Sequence, residues 1–326
     1  MSEYWRLKNI FITGCTGFLG YWLTEHLVHE GAHVIGLVRD AVPQSNFYRL
    51  GLSEKITVVR GDVENYSLLE RIVNEYEIDT VFHLAAQTIV KISNQNPLST
   101  FDANIRGTWN LLEACRRNQP GVKRIVVASS DKAYGQQKKL PYLEDAELRG
   151  THPYDVSKSC ADLICYAYFK TYGLPVSVTR CGNFYGGGDL NFNRIFPGTI
   201  RSILLHEPIS IRSDGSPLRD YLYIKDAVAA YCTLAEQIEI LSLGGEAFNF
   251  SSGNLLTVLE ITKKILSLMD KADYPVEILN SATGEIQDQY LSTAKARQIL
   301  AWEPVYSLDA SIKETIDWYK NFLNVQ

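Results

Sequence analysis

The 326-residue sequence predicts an α/β fold, in which a doubly wound parallel sheet is followed by a smaller C-terminal α/β lobe. Short apolar runs alternate with helical segments as far as about residue 183, which is typical of repeated strand–helix–strand units. A glycine-rich turn joins the first apolar run to the first helical segment. The alternation then becomes less regular, so we predict a first domain of residues 1–183, extended by about 223–251, and a second lobe of residues 184–222 and 252–326.

The composition bounds the classes of function. Hydrophobic residues make up 46% of the chain and charged residues 21%, with a net charge of −5 and no basic stripe, so we expect neither a nucleic-acid partner nor a membrane partner. The polar start, Met1–Asn9, is not typical of a signal peptide, and no window of 18 apolar residues occurs. The six cysteines contain no CxxC pair. We therefore expect a cytoplasmic protein with free thiols, and we predict no metal site.

The glycine-rich turn follows the first predicted strand, Asn9–Thr13. Glycines in this turn let the backbone approach a pyrophosphate, and the helix after it points its N-terminus at the phosphates. A second predicted strand, His33–Val38, follows at the distance that such a unit requires. The pattern predicts a Rossmann-type dinucleotide-binding domain. The expected cofactor contacts in the turn are Gly14, Thr16, Gly17, Phe18 and Leu19.

The end of the second strand bears on the choice between NAD and NADP. An acidic residue there accepts from the ribose 2′-hydroxyl of NAD, whereas an arginine suits the 2′-phosphate of NADP. Arg39 comes directly after the strand, and on this residue we favour NADP. A small shift in register would instead make Asp40 the ribose partner of NAD, and both could also be solvated loop charges.

The ends of the next two predicted strands add candidate cofactor contacts. Asp62, followed by Val63, can accept from the adenine amino group or can instead cap the next helix. Leu84 and Ala85 stand where the fourth strand runs into small residues, which would let the backbone pass under a cofactor. We interpret His83, inside the same apolar run, as a core histidine rather than a catalyst.

Five polar side chains are candidates for catalysis. Ser130, Asp131 and Lys132 follow the fifth predicted strand, and ligands of parallel sheets bind outside such strand ends. Tyr154 and Lys158 lie four residues apart on one face of a predicted helix. We expect the lysine, with a positive nicotinamide ring, to lower the tyrosine pKa from about 10, so that Tyr154 exchanges a proton while a cofactor takes a hydride. The alternatives without catalysis are that Tyr154 and Lys158 lie on an exposed helix surface, and that Asp131 and Lys132 form a surface ion pair.

Later segments complete the prediction. Residues 98–118 are predicted as one long helix and Gly182–Asp189 as a loop. Phe192–Leu205 is predicted as a helix, Arg219–Ile224 as a short strand, and Ala247–Phe250 as a strand that returns to the sheet.

Several motifs together resemble the extended short-chain dehydrogenase/reductase family, and most of all its nucleotide-sugar 4,6-dehydratases. They are the Thr13–Gly20 turn, Ser130, the Tyr154/Lys158 pair and Arg180–Asn183. Epimerases of the family carry no acid/base pair after the catalytic Ser or Thr, and most dehydratases carry Asp-Glu there. Asp-Lys is similar to the CDP-glucose 4,6-dehydratase group and to some UDP-N-acetylglucosamine 4,6-dehydratases. Other segments resemble GDP-mannose 4,6-dehydratase, which uses NADP, so the nucleotide and the sugar stay open.

The resemblance implies a hydro-lyase that converts a nucleotide-diphosphate hexose to its 4-keto-6-deoxy sugar, with CDP-glucose or UDP-N-acetylglucosamine favoured as substrate. NADP or NAD would stay tightly bound and be recycled. Tyr154 would take the proton of the C4 hydroxyl, Lys132 the C5 proton, and Asp131 would protonate the departing C6 hydroxyl. An NDP-sugar 4-epimerase or ketoreductase is the alternative, which needs Tyr154 and Lys158 but not the Asp-Lys pair.

The resemblance also implies the residues that bind substrate. Asn183, Arg194 and Arg219 would lie near the diphosphate and nucleoside, where arginines suit phosphate oxygens. Gln87 and Lys91 would face the sugar. A homodimer or a larger homo-oligomer is expected from the family.

Overall fold

A seven-stranded, all-parallel sheet forms the centre of the structure. The computed structural model describes residues 3–281 and 286–325. Within these residues the strands are β1 (Asn9–Thr13), β2 (His33–Val38), β3 (Thr57–Arg60), β4 (Thr80–His83), β5 (Arg124–Ala128), β6 (Val176–Cys181), β7 (Asn183–Tyr185), β8 (Ile209–Ile211), β9 (Leu218–Tyr223), β10 (Ala247–Phe250), β11 (Leu255–Thr257), β12 (Val276–Ile278) and β13 (Asp288–Gln289). The main sheet has the order β10-β6-β5-β4-β1-β2-β3, which reverses beside β1 and opens a crevice at the carboxyl ends of β1 and β4.

Helices cover both faces of this sheet, and strand residues alternate between two cores. The helices are α1 (Phe18–His29), α2 (Asn46–Arg49), α3 (Tyr66–Glu75), α4 (Val90–Gln95), α5 (Pro97–Phe101), α6 (Gly107–Arg117), α7 (Pro153–Tyr172), α8 (Ile195–Leu204), α9 (Ile224–Ile240), α10 (Val258–Leu268), α11 (Ala294–Leu300) and α12 (Leu308–Leu323). Ile10 and Ile12 of β1 pack into a core with α1 and α9, whereas Phe11 packs into a core with α3 and α6. The predicted doubly wound α/β fold is confirmed.

The second lobe is built around β9. This strand pairs with β7, β11 and β13, while β8 pairs separately with β12. The predicted loop at residues 182–189 is therefore wrong in part, because Asn183–Tyr185 is a strand paired with β9. Ala247–Phe250 returns to the main sheet as predicted, where it pairs with β6. This pairing supports the proposed division into two domains, which stays a prediction.

The predicted long helix over residues 98–118 is interrupted. Pro97–Phe101 and Gly107–Arg117 are α-helical, but Asp102–Arg106 between them forms a wider π-helical turn. Such turns change which side chains point inward and are frequent at functional sites. None of the helices in the described residues has the length and apolarity that crossing a membrane requires.

Candidate active site

A cleft of about 1020 Å³ lies at the carboxyl ends of the central strands and extends under the second lobe. A site for one small ligand typically measures about 300–1,000 Å³, so this cleft has room for a dinucleotide and a second ligand. Most of the residues predicted from the sequence line it. They are Gly14, Thr16, Gly17, Phe18, Leu19, Arg39, Asp62, Val63, Leu84, Ala85, Ser130, Asp131, Lys132, Tyr154, Lys158, Asn183, Arg194 and Arg219.

The glycine-rich turn is shaped for close backbone approach. Gly14 has a φ of +76°, and a Cβ there would lie 2.7 Å from the backbone nitrogen of Ala85. Helix α1 begins after Gly17, whose lack of a side chain leaves the first helical N–H groups without a side-chain cap. These N–H groups and the helix dipole suit the negative charge of a pyrophosphate. The residues at this end of the cleft therefore fit a dinucleotide.

The buried hydroxyl of Thr13 binds the segment that follows β4, next to the glycine-rich turn. Thr13 Oγ1 accepts from the backbone N–H groups of Leu84 and Ala85, at 3.2 Å each, and lies 2.7 Å from His83 Nδ1. The other ring nitrogen of His83 lies 3.1 Å from Thr108 Oγ1. Burial lowers the pKa of His83 to about 3. The interpretation of His83 as a satisfied core histidine is confirmed.

Two acidic residues flank the arginine at the end of β2. Arg39 Nε donates to Asp40 Oδ2 at 2.6 Å and lies 3.9 Å from Asp62 Oδ2. Arg39 and Asp40 are mostly exposed. Asp62 Oδ1 accepts from the N–H of Glu64, while Asn65 caps α3. Asp62 thus shapes the turn before the helix, and its Oδ2 side faces Arg39.

Ser130 organises the turn that carries the acid/base pair. Its hydroxyl accepts from the N–H of Lys132 at 3.2 Å and donates to Asp131 Oδ1 at 3.0 Å. Asp131 is 4% exposed, which excludes a surface ion pair. Burial raises the pKa of Asp131, opposed by Lys132, Ser130 and Arg219. A raised pKa favours the protonated form of a carboxyl group, which is the form that can act as an acid.

The tyrosine and lysine of α7 reach the same end of the cleft. Burial raises the pKa of Tyr154 to about 12, while a hydrogen bond with Ser130 lowers it in part. In the protein without a cofactor, burial thus outweighs the neighbouring groups, and the lowering expected in the presence of a positive nicotinamide ring stays a prediction. Lys158 Nζ donates to Ala128 O at 2.7 Å and lies 6.0 Å from the centre of the Tyr154 ring. Burial also lowers the pKa of Lys158 to about 8.

Lys132 reaches across to the second lobe. Its Nζ donates to Oε1 of Gln289 at 2.7 Å. Its charge also lowers the pKa values of Asp131 and Asp155, although burial raises both more strongly. The half-buried amine thus lies among two carboxyl groups and one amide.

The residues predicted to bind substrate divide into two groups. Asn183 lies on β7, and Arg219 on β9 donates to the carbonyl groups of Leu218 and Gln287. Arg194 stands just before α8 and pairs with Asp189 at 3.0 Å. All three predicted residues line the cleft.

Gln87 and Lys91 are not among the residues that line it. The backbone N–H and carbonyl of Gln87 are held by the side chain of Asn104, at 2.7 and 3.1 Å. Lys91 is exposed on α4. Their predicted role at the sugar has no support from this placement.

Sequence reasoning missed several polar groups of the cleft. The hydroxyl groups of Ser129, Thr199 and Tyr221 are buried, line the cleft and have no hydrogen-bond partner in the part of the chain that the structure describes. Tyr221 could have been found, because it shares a strand face with Arg219, two residues earlier. Thr199 lies in an apolar helix and gave no signal. Asn104, which holds the backbone of Gln87 without lining the cleft, was missed because its position depends on the π-helical turn.

Comparison with known proteins shows what the chain is similar to. Residues 11–315 match the family model described as GDP-mannose 4,6 dehydratase. The UDP-glucuronate 4-epimerase of Thermodesulfobacterium geofontis is 33% identical over 318 residues, which cover 95% of each chain. The CDP-glucose 4,6-dehydratase of Salmonella typhimurium is 29% identical over 340 residues, which cover 99% of this chain and 93% of that relative. The structure of dTDP-glucose 4,6-dehydratase from Bacillus anthracis in complex with NAD has a TM-score of 0.86 and 27% identity, covering 96% of this chain and 97% of that one.

Proposed function

This chain belongs to the GDP-mannose 4,6 dehydratase family, and we propose that within it the chain is a nucleotide-sugar 4,6-dehydratase. The names of its relatives divide between 4,6-dehydratases and 4-epimerases. The observation that carries the proposal is the buried Asp131, whose pKa burial raises, beside Lys132 and next to Ser130 and Tyr154. An epimerase needs the tyrosine and the serine but has no use for a second acid/base pair.

Each residue has a part in three linked steps. The glycine-rich turn and Lys158 would hold a nicotinamide cofactor, which would supply hydride exchange with sugar C4 and C6. Tyr154 takes the proton of the C4 hydroxyl, while Ser130 holds that hydroxyl and Lys158 holds the cofactor ribose. Lys132 removes the C5 proton, which the new ketone makes acidic. Asp131 protonates the C6 hydroxyl, so that it leaves as water, and Lys132 then returns its proton to C5.

The protonation states fit this division of roles in part. Burial raises the pKa of Asp131, which is the direction that a general acid requires. The high pKa of Tyr154 in the protein by itself means that a positive nicotinamide ring must stabilise its anion before it can act as a base. Arg194 and Arg219 then hold the diphosphate at the other side of the sugar, since guanidinium groups bind phosphate oxygens in pairs.

For the cofactor we propose NAD as the first candidate. The sequence favours NADP through Arg39, but Arg39 is paired with Asp40 and also lies near Asp62. Two carboxylates beside a 2′-phosphate would repel it. A related dehydratase structure contains NAD, which supports the same choice. Dissociation constants of the unloaded protein for NAD and NADP test it, and tighter binding of NADP would restore the sequence-based preference.

The substrate is proposed from the Asp131-Lys132 pair, which favours CDP-glucose or UDP-N-acetylglucosamine. The test is incubation with CDP-, UDP-, GDP- and dTDP-hexoses, followed by mass spectrometry and chromatography. We expect one of the two favoured sugars to lose one water without added cofactor. An isomer of unchanged mass would instead identify a 4-epimerase and refute the dehydratase.

We further propose that the protein is a homodimer that pairs through α5, α6 and α7. These helices expose the apolar side chains of Leu98, Trp109, Leu163 and Tyr166. Exposed apolar groups on adjoining helices are typical of protein–protein interfaces. Light scattering after size-exclusion chromatography should show a dimer that Leu163→Glu weakens, and a monomeric wild type would refute it. The cytoplasmic location stays a prediction.

A further inference from the structure

We propose that Gln289 is a positioning residue, which holds the amine of Lys132 for removal of the C5 proton. This inference rests on the proposed dehydratase function. Gln289 lies 157 positions from Lys132 in the sequence and belongs to the second lobe. No feature of the sequence connects the two residues, and only the folded chain brings them together.

A contact from the second lobe orients the amine of Lys132. A lysine amine sits on a flexible four-carbon stem, so a base at this position needs an external contact that holds it. Oε1 of Gln289 supplies that contact at 2.7 Å. Gln289 itself is 0% exposed and pairs with Arg219 in the β13–β9 ladder. The acceptor is therefore anchored to the strand that carries a predicted phosphate-binding arginine.

The burial of this amide makes a purely structural role a poor explanation. Nε2 of Gln289 is buried and has no hydrogen-bond partner within residues 3–281 and 286–325. A buried donor without a partner costs free energy, and an apolar side chain of the same size would avoid that cost. The hydrogen bond to Lys132 is the contact that distinguishes glutamine from methionine at this position.

An amide suits this role better than a charged group. The amine of Lys132 already faces the carboxyl groups of Asp131, on its own turn, and of Asp155, on α7, while Arg219 on β9 lies near Asp131. A carboxylate in place of this amide would hold the lysine proton, because an ion pair favours the charged form. A neutral acceptor orients the amine and leaves it able to give up and regain a proton in each turnover.

The test separates oxidation at C4 from chemistry at C5 in single turnovers of the cofactor-loaded enzyme. Gln289→Met keeps the volume and removes the acceptor, whereas Gln289→Glu keeps the acceptor and adds a charge. Gln287→Met is the matched control, because that side chain is exposed and contacts Ser216 rather than Lys132. The readouts are absorbance of the reduced nicotinamide, exchange of the C5 hydrogen with deuterated water, and loss of water from the sugar.

We expect Gln289→Met to keep the rate of C4 oxidation and to slow C5 exchange and water loss by about a hundredfold, the scale of a misplaced catalytic group. Gln289→Glu should retain elimination but move its pH profile to higher pH, which a structural role would not do. If Gln289→Met slows C4 oxidation and water loss equally, or leaves water loss unchanged, the role of Gln289 is overturned. Water loss by the wild-type enzyme would still uphold the dehydratase in that case. A wild type that oxidises C4 but never loses water refutes the proposed function and, with it, this inference.

Discussion

Replacing Asp131 with asparagine separates the two halves of the proposed reaction. Asp131 is 4% exposed, and its Oδ1 accepts from the Ser130 hydroxyl at 3.0 Å. An asparagine side chain has the same shape and can keep that hydrogen bond, so the turn should stay in place. It has no proton to give to the departing C6 hydroxyl.

The loss of a positioned acid typically slows its step about 10²- to 10⁴-fold, which corresponds to about 3–5 kcal/mol in the barrier. Burial makes the upper part of this range the expectation for Asp131→Asn, because bulk water has little access to replace the lost acid. Oxidation at C4 does not use this proton, so its rate should stay within about twofold of the wild-type rate.

The assay follows single turnovers by absorbance of the reduced nicotinamide and, after quenching, by mass spectrometry of the sugar. Asp131→Asn should accumulate the oxidised sugar with its C6 hydroxyl intact. Asp145→Asn serves as a control, because Asp145 is an exposed carboxylate outside the cleft. Elimination at the wild-type rate in Asp131→Asn, or in the double variant with Lys132→Ala, would refute the mechanism. An equal loss in both steps would make Asp131 structural.

Three further predictions concern stability and binding. Asp162→Ala should lower the free energy of unfolding by about 3–5 kcal/mol, because it leaves the buried charge of Arg180 without its ion-pair partner. Arg180 is 5% exposed and donates to both carboxylate oxygens of Asp162 at 2.8 Å. Urea denaturation measures this change, and a loss below about 1 kcal/mol contradicts the prediction. Arg219→Ala should weaken nucleotide-sugar binding by at least about tenfold in calorimetry, and unchanged affinity would remove Arg219 from the site. Burial raises the pKa of Asp220 from 3.8 to about 7. The contribution of Asp220 to stability is therefore full below pH 3.8 and is lost as the pH rises towards 7, by up to about 4 kcal/mol. Asp220→Asn should flatten the dependence of the free energy of unfolding on pH across this range, and an unchanged slope would refute the raised pKa.

The sequence predicted the parts of the site that depend on local spacing. The first two strands, Asn9–Thr13 and His33–Val38, have the predicted bounds, because apolar runs flanked by glycine or charge leave little freedom of register. Tyr154 and Lys158 share a helix face that follows from a spacing of four residues alone. These signals need no knowledge of the rest of the chain.

Other parts depend on long-range packing and were beyond such reasoning. Gln289 lies in a two-residue strand whose position is set by its pairing with β9. The direction of the Tyr154 pKa shift depends on burial, which the spacing to Lys158 does not report. The backbone of Gln87 is tied to Asn104 on a π-helical turn that the helical pattern did not reveal, and the role of Gln87 at the sugar stays a prediction.

That turn exchanges the regularity of the helix for contacts with distant parts of the chain. The π-helical segment, Asp102–Arg106, holds one more residue than a regular α-helical turn, and Asn104 within it joins the Gln87 backbone to Ser157 Oγ at 2.9 Å. Loss of a single residue here would give a more regular helix and would turn Asn104 away from the Gln87 backbone and Ser157. A regular helix and the contacts of Asn104 therefore place opposite demands on the length of this segment.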